Sequence, residues 1–528
     1  MVKVANRLER VLLPGQCPRS GQNATEGNAL ARPARLVIAA RSPQTPRMHL
    51  GLAVLFCAVL LSCTQVGAAP AKPNVVLILA DDLGWTDLAC FGSDLHETPH
   101  LDRLAREGMK FTQNYSACTV CSPTRAALMT GKYPARLHIT DWIPGRMPDN
   151  PKLLVPDWSK QLPLAETTIA KVFQSAGYRT ASIGKWHLGD EEFYPEKHGF
   201  DVNIAGLNAG SPPTYFSPWG IKTITDGRDG DYLTDRLGEE AAGLIENWRE
   251  QPFFLYLPHF AVHTPIQGRA DLVAKYQQKL KPGLRHNNPA YAAMVESLDT
   301  AVGRVLRKLD ELKLTERTIV AFTADNGGLI TRSVTTNAPL RLGKASAYEG
   351  GVRVPAIVRW PGVIKPGSVN DTPVITMDWA VTLLEVAGMK PPPATSPTGA
   401  SGRDGVSLLP LLRGTGTLLP RDLFWHYPHH QHYQLGGAMP YGAIRSGDFK
   451  LVEHFNDMGV ELYNLRDDIS ETRDLAAAQP QRVAELRARL HAWRKEVGAQ
   501  MPTPNPNYNP AKPEYTPPPA KAKKKANE

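Results

Sequence analysis

The sequence predicts an α/β fold, with a mostly parallel mixed sheet between helices, and three observations predict it. Four apolar runs recur along the chain, helix-like periodic segments separate them, and each run stops at polar, chemistry-bearing residues. Asn74–Ala80 is the first run, continuous and β-branched, the pattern of a strand buried on both faces. Thr180–Ile183, Phe253–Leu257 and Thr318–Thr323 repeat it. Between them, Thr98-Pro99 through Gly108 has a helix start, an apolar face at Leu101, Leu104 and Ala105, and a stop. Thr168–Ala176 before Gly177 and the longer Tyr291–Leu312 are similarly periodic. In open sheets of this kind ligands bind beyond the carboxyl ends of the strands. Here those ends lead into Asp81-Asp82, Lys185-Trp186-His187, His259 and Asp325-Asn326, so residues far apart in sequence are expected along one edge.

At 528 residues the chain can hold a large core and a second unit, since a domain takes ~100 to 200 residues. Residues 1–69 are expected to be an N-terminal extension and secretory signal. Leu50–Leu61 is apolar but short for a bilayer span, and small residues follow at Val66–Ala69. Cleavage after Ala68 or Ala69 and lipid anchoring at Cys63, within Leu60-Leu61-Ser62-Cys63, both stay open. Either route makes the protein an exported one, periplasmic, secreted or lipid-anchored. Residues 70–414 are assigned to the large domain and 415–501 to a smaller C-terminal one. In the latter Leu423–His426, Tyr441–Ile444, Phe449–Val452 and Val460–Leu465 read as a short antiparallel sheet, and Gln481–Val497 as a closing helix. Residues 502–528, dense in Pro, Asn, Ala and Lys, lack apolar content and are expected to form a disordered tail.

The formal charge of +9 belongs to the ends of the chain. Residues 1–47 carry +6 and residues 502–528 carry +3, which leaves residues 48–501 neutral. A nucleic-acid partner therefore has no support from composition.

Chemistry concentrates at a few segments. Cys121-Ser122-Pro123-Thr124-Arg125 precedes a short apolar run ending at Gly131, so Pro123 falls in the first turn of a helix whose N-terminus would face an anion. Cys118 and Cys121 also make a Cys-x-x-Cys, but no cysteine follows Cys121 to complete a zinc site. After cleavage of the signal Cys90 and Cys118 would be the other two thiols, paired or free. Asp81, Asp82, Asp325 and Asn326 offer hard oxygen donors suited to Ca²⁺ or Mg²⁺, although an Asp-Asp pair can be a helix cap and Asp-Asn-Gly a plain turn. Lys185-Trp186-His187 can likewise be a surface patch around a packed tryptophan.

Taken together these segments resemble the formylglycine-dependent sulfatases of the alkaline-phosphatase-like fold, over residues 74 to about 500. Cys-x-Pro-x-Arg is the signature of that family, with Thr124 in place of the commoner serine. The resemblance implies that a maturation enzyme oxidises Cys121 to formylglycine. Its hydrate would attack the sulfur of a sulfate ester, beside a metal held by Asp81, Asp82, Cys121, Asp325 and Asn326, calcium in preference to magnesium. It implies catalytic roles for six residues: Cys121 as nucleophile precursor, Lys185 and Lys344 as sulfate ligands, Arg125 as a holder of aspartate or diol oxygens, His187 as base and His263 as the acid for the leaving alcohol. His259 is expected to be structural. The expected activity is sulfuric ester hydrolysis on sulfated carbohydrate or aryl sulfate substrates, with a leaning towards sulfated galactose or N-acetylgalactosamine units in extracellular polysaccharide. A phosphonate or phosphate ester hydrolase of the same fold and a non-catalytic glycan-binding homologue are the alternatives. Selectivity is expected from a rim of Asp141-Trp142, Asn208–Trp219 with Tyr215, Phe216 and Trp219, and Trp425–Tyr433.

Overall fold

The computed structural model describes residues 72–388, 402–431 and 439–513, which lie in one compact unit, Pro70–Glu528. The signal segment and Cys63 lie outside the described residues.

An eight-stranded mixed sheet organises the chain. Its strands in chain order are β1 (Asn74–Ala80), β2 (Met109–Phe111), β3 (Arg179–Ile183), β4 (Val202–Ile204), β5 (Phe253–Pro258), β6 (Thr318–Ala324), β7 (Ala356–Arg359) and β8 (Ser368–Asn370). Across the sheet they run β8, β2, β7, β6, β1, β5, β3, β4. The central four, β6, β1, β5 and β3, are the four expected runs and pair in parallel, with Leu77 of β1 opposite Ala321 of β6 and Tyr256 of β5. Only β7 runs against its neighbours β6 and β2.

The period of two explains why β1 is apolar throughout. Val76, Ile78 and Ala80 face one core, packed by helices α3 (Leu233–Asn247) and α4 (Pro289–Glu311), while Val75, Leu77 and Leu79 face another, packed by α1 (Cys121–Thr130), α2 (Ile169–Ser175) and α5 (Thr376–Val386). Both faces are covered, so neither set of side chains can be polar.

The C-terminal part is an antiparallel sheet of β9 (Asp422–Tyr427), β10 (Tyr441–Ser446), β11 (Phe449–His454) and β12 (Val460–Asn464), closed by α6 (Pro480–Val497). Leu486, Leu490 and Trp493 of the helix and Trp425, Leu451 and Leu462 of the sheet share one core with Tyr115, Cys118, Val120 and Ala127. The small sheet thus buttresses the segment that leads into α1. The expected tail is corrected in part. Thr503-Pro504 pairs with Leu153-Leu154, Asn505 Nδ2 donates to the Pro151 carbonyl at 2.7 Å, and Asn150 Nδ2 donates to the carbonyl of Asn509 at 2.8 Å. Residues 502–513 are anchored by asparagine amides satisfying backbone groups, a signal that apolar content does not register. Cys90, Cys118 and Cys121 are free thiols.

Candidate active site

Four strand ends and one helix start converge on a cavity of about 1160 Å³. Asp82, Cys121, His187, His263 and Lys344 all line it. Cys121 is the first residue of α1, preceded by extended Val120, and all ten residues of the helix are buried. Thr124 accepts a hydrogen bond from the Cys118 N–H at 3.0 Å, and Ser122 Oγ accepts one from the Ile143 N–H at 3.1 Å. Threonine in place of serine therefore still ties the chain before the cysteine to the first helical turn. Burial pushes the Cys121 thiol up to about 12, against the pull of Lys185 and Lys344. It stays protonated at neutral pH and is poorly suited to act as a thiolate.

Beside the thiol lies a balanced cluster of three carboxylates and three cations. Lys185 Nζ is 2.5 Å from Asp81 Oδ2, Lys344 Nζ is 2.6 Å from Asp82 Oδ1, and Arg125 Nη2 is 2.8 Å from Asp325 Oδ2 and 3.7 Å from Asp81 Oδ2. Arg125 also donates to the Lys185 carbonyl at 2.9 Å, which fixes the strand end that carries the lysine. Lys344 Nζ is 3.6 Å from the Cys121 sulfur, and that sulfur is 3.7 Å from Asp81 Oδ1. Burial alone would raise the Asp82 carboxyl, but Lys344, His263 and Lys185 outweigh it and bring it down to about 2. Asp325 goes the other way, raised to about 6 by burial and by Asp81 despite Arg125.

The donors fit a hard divalent cation. Asn326 spends its amide N–H groups on Asp82 Oδ1 at 2.7 Å and the Gly327 carbonyl at 3.0 Å, which leaves its buried Oδ1 without a hydrogen-bond donor. An orphaned carbonyl oxygen among three carboxylates is a donor set for Ca²⁺ or Mg²⁺. Asp82 adopts a left-handed φ of 58° and His187 one of 60°; such a conformation costs a non-glycine residue ~1–3 kcal/mol, and it persists only where surrounding structure enforces it.

The two histidines differ. His187 Nε2 lies 2.5 Å from the Ile143 carbonyl and donates to it, which leaves Nδ1, buried and unpartnered, as the basic nitrogen. Burial, then the charge of Lys185, holds this imidazole well below its usual value. Gly210 packs on the ring: a Cβ there would stand 2.6 Å from His187 Cε1. His263 keeps its Nδ1 on the Thr264 carbonyl at 2.9 Å and turns Nε2 to within 3.5 Å of Asp82 Oδ2. Burial and Lys344 lower it to about 3. His259 is buried, its ring nitrogens have no partner, and it does not line the cavity.

The expected rim is corrected in each of its three segments, of which residues 432 and 433 lie outside the described residues. Trp142 and Asn208 line the cavity, but Tyr215 and Trp219 are fully buried, and the Tyr215 hydroxyl donates to the Phe260 and His263 carbonyls at 2.7 and 2.9 Å. Tyr215 supports the His263 loop from behind. Trp425, His429 and His430 are also buried, with His429 Nε2 2.8 Å from Thr140 Oγ1, and Asp141 is held by Tyr427 rather than facing the cavity. Large rings gain more from burial than a sugar-facing position leaves them. Ser211, within the expected Asn208–Trp219 segment, lines the opening, as do Arg146, Asn288, Thr331 and Arg332, which carried no signal in the sequence beyond being polar loop residues.

Comparisons with known proteins agree with this geometry. The sulfatase family model matches residues 73–389, and the model of the N-sulphoglucosamine sulphohydrolase C-terminal region matches residues 342–498. A sulfatase from Formosa agariphila is 34% identical over 518 residues, 83% of this chain and 92% of that protein. The N-acetylgalactosamine-6-sulfatase of Canis lupus familiaris is 35% identical over 70% of this chain and 71% of its own length. Among solved structures, Ps i-CgsB in complex with k-i-k-neocarrahexaose is similar with a TM-score of 0.66 and 29% identity, covering 80% of this chain and 92% of that one. The fold and site define a hydrolase of the alkaline-phosphatase-like class. Within it, the chain belongs to the sulfatase family and is a sulfuric ester hydrolase.

Proposed function

We propose that the protein is an exported sulfatase that removes sulfate from carbohydrates, using formylglycine made from Cys121 by a maturation enzyme and a calcium ion held by Asp81, Asp82, Asp325 and Asn326 beside Cys121. The observation that carries this reading is that Asp82, Cys121, Lys344, His187 and His263 line one cavity, with Lys185 paired to Asp81 in the same buried cluster as Asp82 and Asp325. When present, formylglycine supplies a hydroxyl nucleophile that regenerates after sulfate leaves, and the metal supplies positive charge against the sulfate oxygens.

The side chains account for the rest. Lys185 and Lys344 bring two ammonium groups to the sulfate oxygens and to the charge that develops on them. Arg125 keeps Asp325 and Asp81 apart and in place, a positioning role given by its bonds to Asp325 and the Lys185 carbonyl. His263 offers Nε2 to the leaving alcohol oxygen. Burial, and then the neighbouring Lys344, disfavour its protonation, and an anionic sulfate bound at that lysine would offset the second of these and raise the share of the acid form. His187 has a bare Nδ1 with which to take a proton in the release of sulfate.

A carbohydrate substrate is supported by the cavity, open and lined by Trp142, Asn208, Ser211 and two arginines, and by relatives whose names specify N-acetylgalactosamine 6-sulfate. We place the substrate among sulfated galactose or N-acetylgalactosamine units. A phosphonate monoester hydrolase shares the fold at 20% identity, which speaks to architecture alone. The deciding experiment is a panel of defined sulfated sugars, an aryl sulfate and a phosphonate monoester, assayed with protein matured in its native host. Release of sulfate from a sugar, with the mass of an aldehyde in the Cys121 peptide, is the expected result. An unmodified cysteine in that host with no turnover would favour a glycan-binding homologue.

A further inference from the structure

A second set of ligating side chains lies where the loop after Asp82 turns back. Asp87, His96 and His286 are all buried, and one nitrogen of each imidazole and a carboxylate oxygen of Asp87 lie within 4.8 Å of one another. His286 Nε2 stands 3.3 Å and His96 Nδ1 3.8 Å from Asp87 Oδ1. Ligands on a tetrahedral ion with bonds of ~2.0–2.1 Å are themselves ~3.3–3.4 Å apart, so the spacing of His286 from Asp87 already suits one, while His96, whose Nδ1 donates to the Asp87 backbone carbonyl at 2.8 Å, would give up that bond and its proton to ligate.

Two features separate this set from an ordinary network of charges. His286 Nε2 is buried in a residue 2% exposed and makes no hydrogen bond, its approach to Asp87 lacking the geometry of one. Its other nitrogen, Nδ1, is held at 2.6 Å by Asp94 Oδ1, the carboxylate–histidine arrangement that orients imidazoles on metals. Asp87 is itself fixed: Oδ2 accepts from the Gly84 N–H and the Tyr291 hydroxyl, each at 2.6 Å, and Oδ1 accepts from Thr335 Oγ1 at 2.6 Å. A cavity of about 170 Å³ lined by His96, His286, Asn288 and Thr335 adjoins the cluster and has room for a water ligand.

We propose that Asp87, His96 and His286 form a second metal site that takes a borderline divalent ion, Zn²⁺, through two imidazoles and one carboxylate, with water in the fourth position. It differs in kind from the oxygen-rich catalytic cluster, since imidazole suits zinc and calcium avoids it. The site has a structural consequence. The Tyr291 hydroxyl that reaches Asp87 is also 3.3 Å from the Asp82 carbonyl, so an ion here would stiffen the loop that carries a catalytic carboxylate.

The test uses the full chain with Cys121→Ala, which removes the thiol from the catalytic cluster, kept in excess Ca²⁺ and titrated with Zn²⁺ or Co²⁺. One zinc retained per chain after gel filtration is expected, with the intense visible absorption of four-coordinate Co²⁺. His96→Ala and His286→Ala should each lose the ion, and Asp94→Asn should weaken binding by about 10–100-fold. Zinc absent from the folded chain, or retained undiminished by both histidine variants, overturns the proposal. Should a histidine variant fail to fold, the Co²⁺ spectrum of the Cys121→Ala chain decides: a weak, six-coordinate spectrum overturns it.

Discussion

Two buried clusters of charge in this molecule serve opposite ends. Beside the large cavity Asp81, Asp82 and Asp325 face Arg125, Lys185 and Lys344. Under the C-terminal sheet Lys450 lies between Glu349 at 2.9 Å and Glu471 at 3.0 Å, all three fully enclosed, with Arg353 3.4 Å from Glu349. Both clusters bear the cost of desolvating ions, which pairing offsets only in good geometry. They differ in what is left over. The first opens on a large cavity and keeps acceptors such as Asn326 Oδ1 and His187 Nδ1 unpartnered. The second, sealed beneath Trp425, joins β11 to the helix start at Glu349 and presents no surface to a ligand. Burial and charge alone therefore do not mark a site, nor does an unmade hydrogen bond, since Glu471 Oε1 lacks one as well; the opening onto a cavity does.

Substitutions should separate the two. Cys121→Ala is expected to abolish turnover, by about 10⁴-fold or more in kcat, with the melting temperature little changed; normal activity would break the assignment of the nucleophile. His263→Ala should lower kcat on a sugar sulfate by about 10²- to 10⁴-fold and less on a nitrophenyl sulfate, whose alcohol leaves without a proton. Equal losses on both substrates would move the acid role, with His187 next to test. Lys450→Met should destabilise the fold by about 3–5 kcal/mol in denaturant titration, leaving kcat of the folded fraction intact, because it strands two carboxylates. A loss of kcat in the folded fraction would show that the clusters are coupled.

The smallest expected effect is a pH dependence. Burial raises Glu471 to about 7, from an ordinary 4.5, despite Lys450. Its folded form holds the proton more tightly than the unfolded chain, so its contribution to stability is complete below about 4.5 and lost as the pH rises to about 7. Glu349 is the reverse: burial acts against it, but Lys450 and Arg353 lower it to about 2, so its contribution is present above about 4.5 and lost as the pH falls from 4.5 towards 2. Glu471→Gln should flatten the melting temperature between pH 4.5 and 7. An unchanged slope there would assign the titration to another group.

Much of the site was legible in one dimension because its residues follow strands or open a helix. Asp81-Asp82, Lys185 to His187 and Asp325-Asn326 each begin where an apolar run of β residues ends, and Cys121 opens a helix with Pro123 in its first turn. Such boundaries are local, set by period and propensity. The order of the central strands followed less directly, since β6 and β5 flank β1 although about 170 residues separate Ala80 of β1 from Phe253 of β5 in the chain.

The sequence by itself determined the α/β class, the four strand ends and the residue types gathered beyond them, because strand period, helix caps and functional groups are properties of short segments. Tertiary structure alone decided which of them touch. It placed Lys185 on Asp81 and Lys344 on Asp82, buried Tyr215, Trp219 and His429 where a rim was expected, and brought His96 to His286 across 190 residues of chain. The reason is physical: a polar residue in a loop reads the same whether it faces solvent, a substrate or a buried partner. Only packing sets the distance, the burial and the hydrogen bond left unmade.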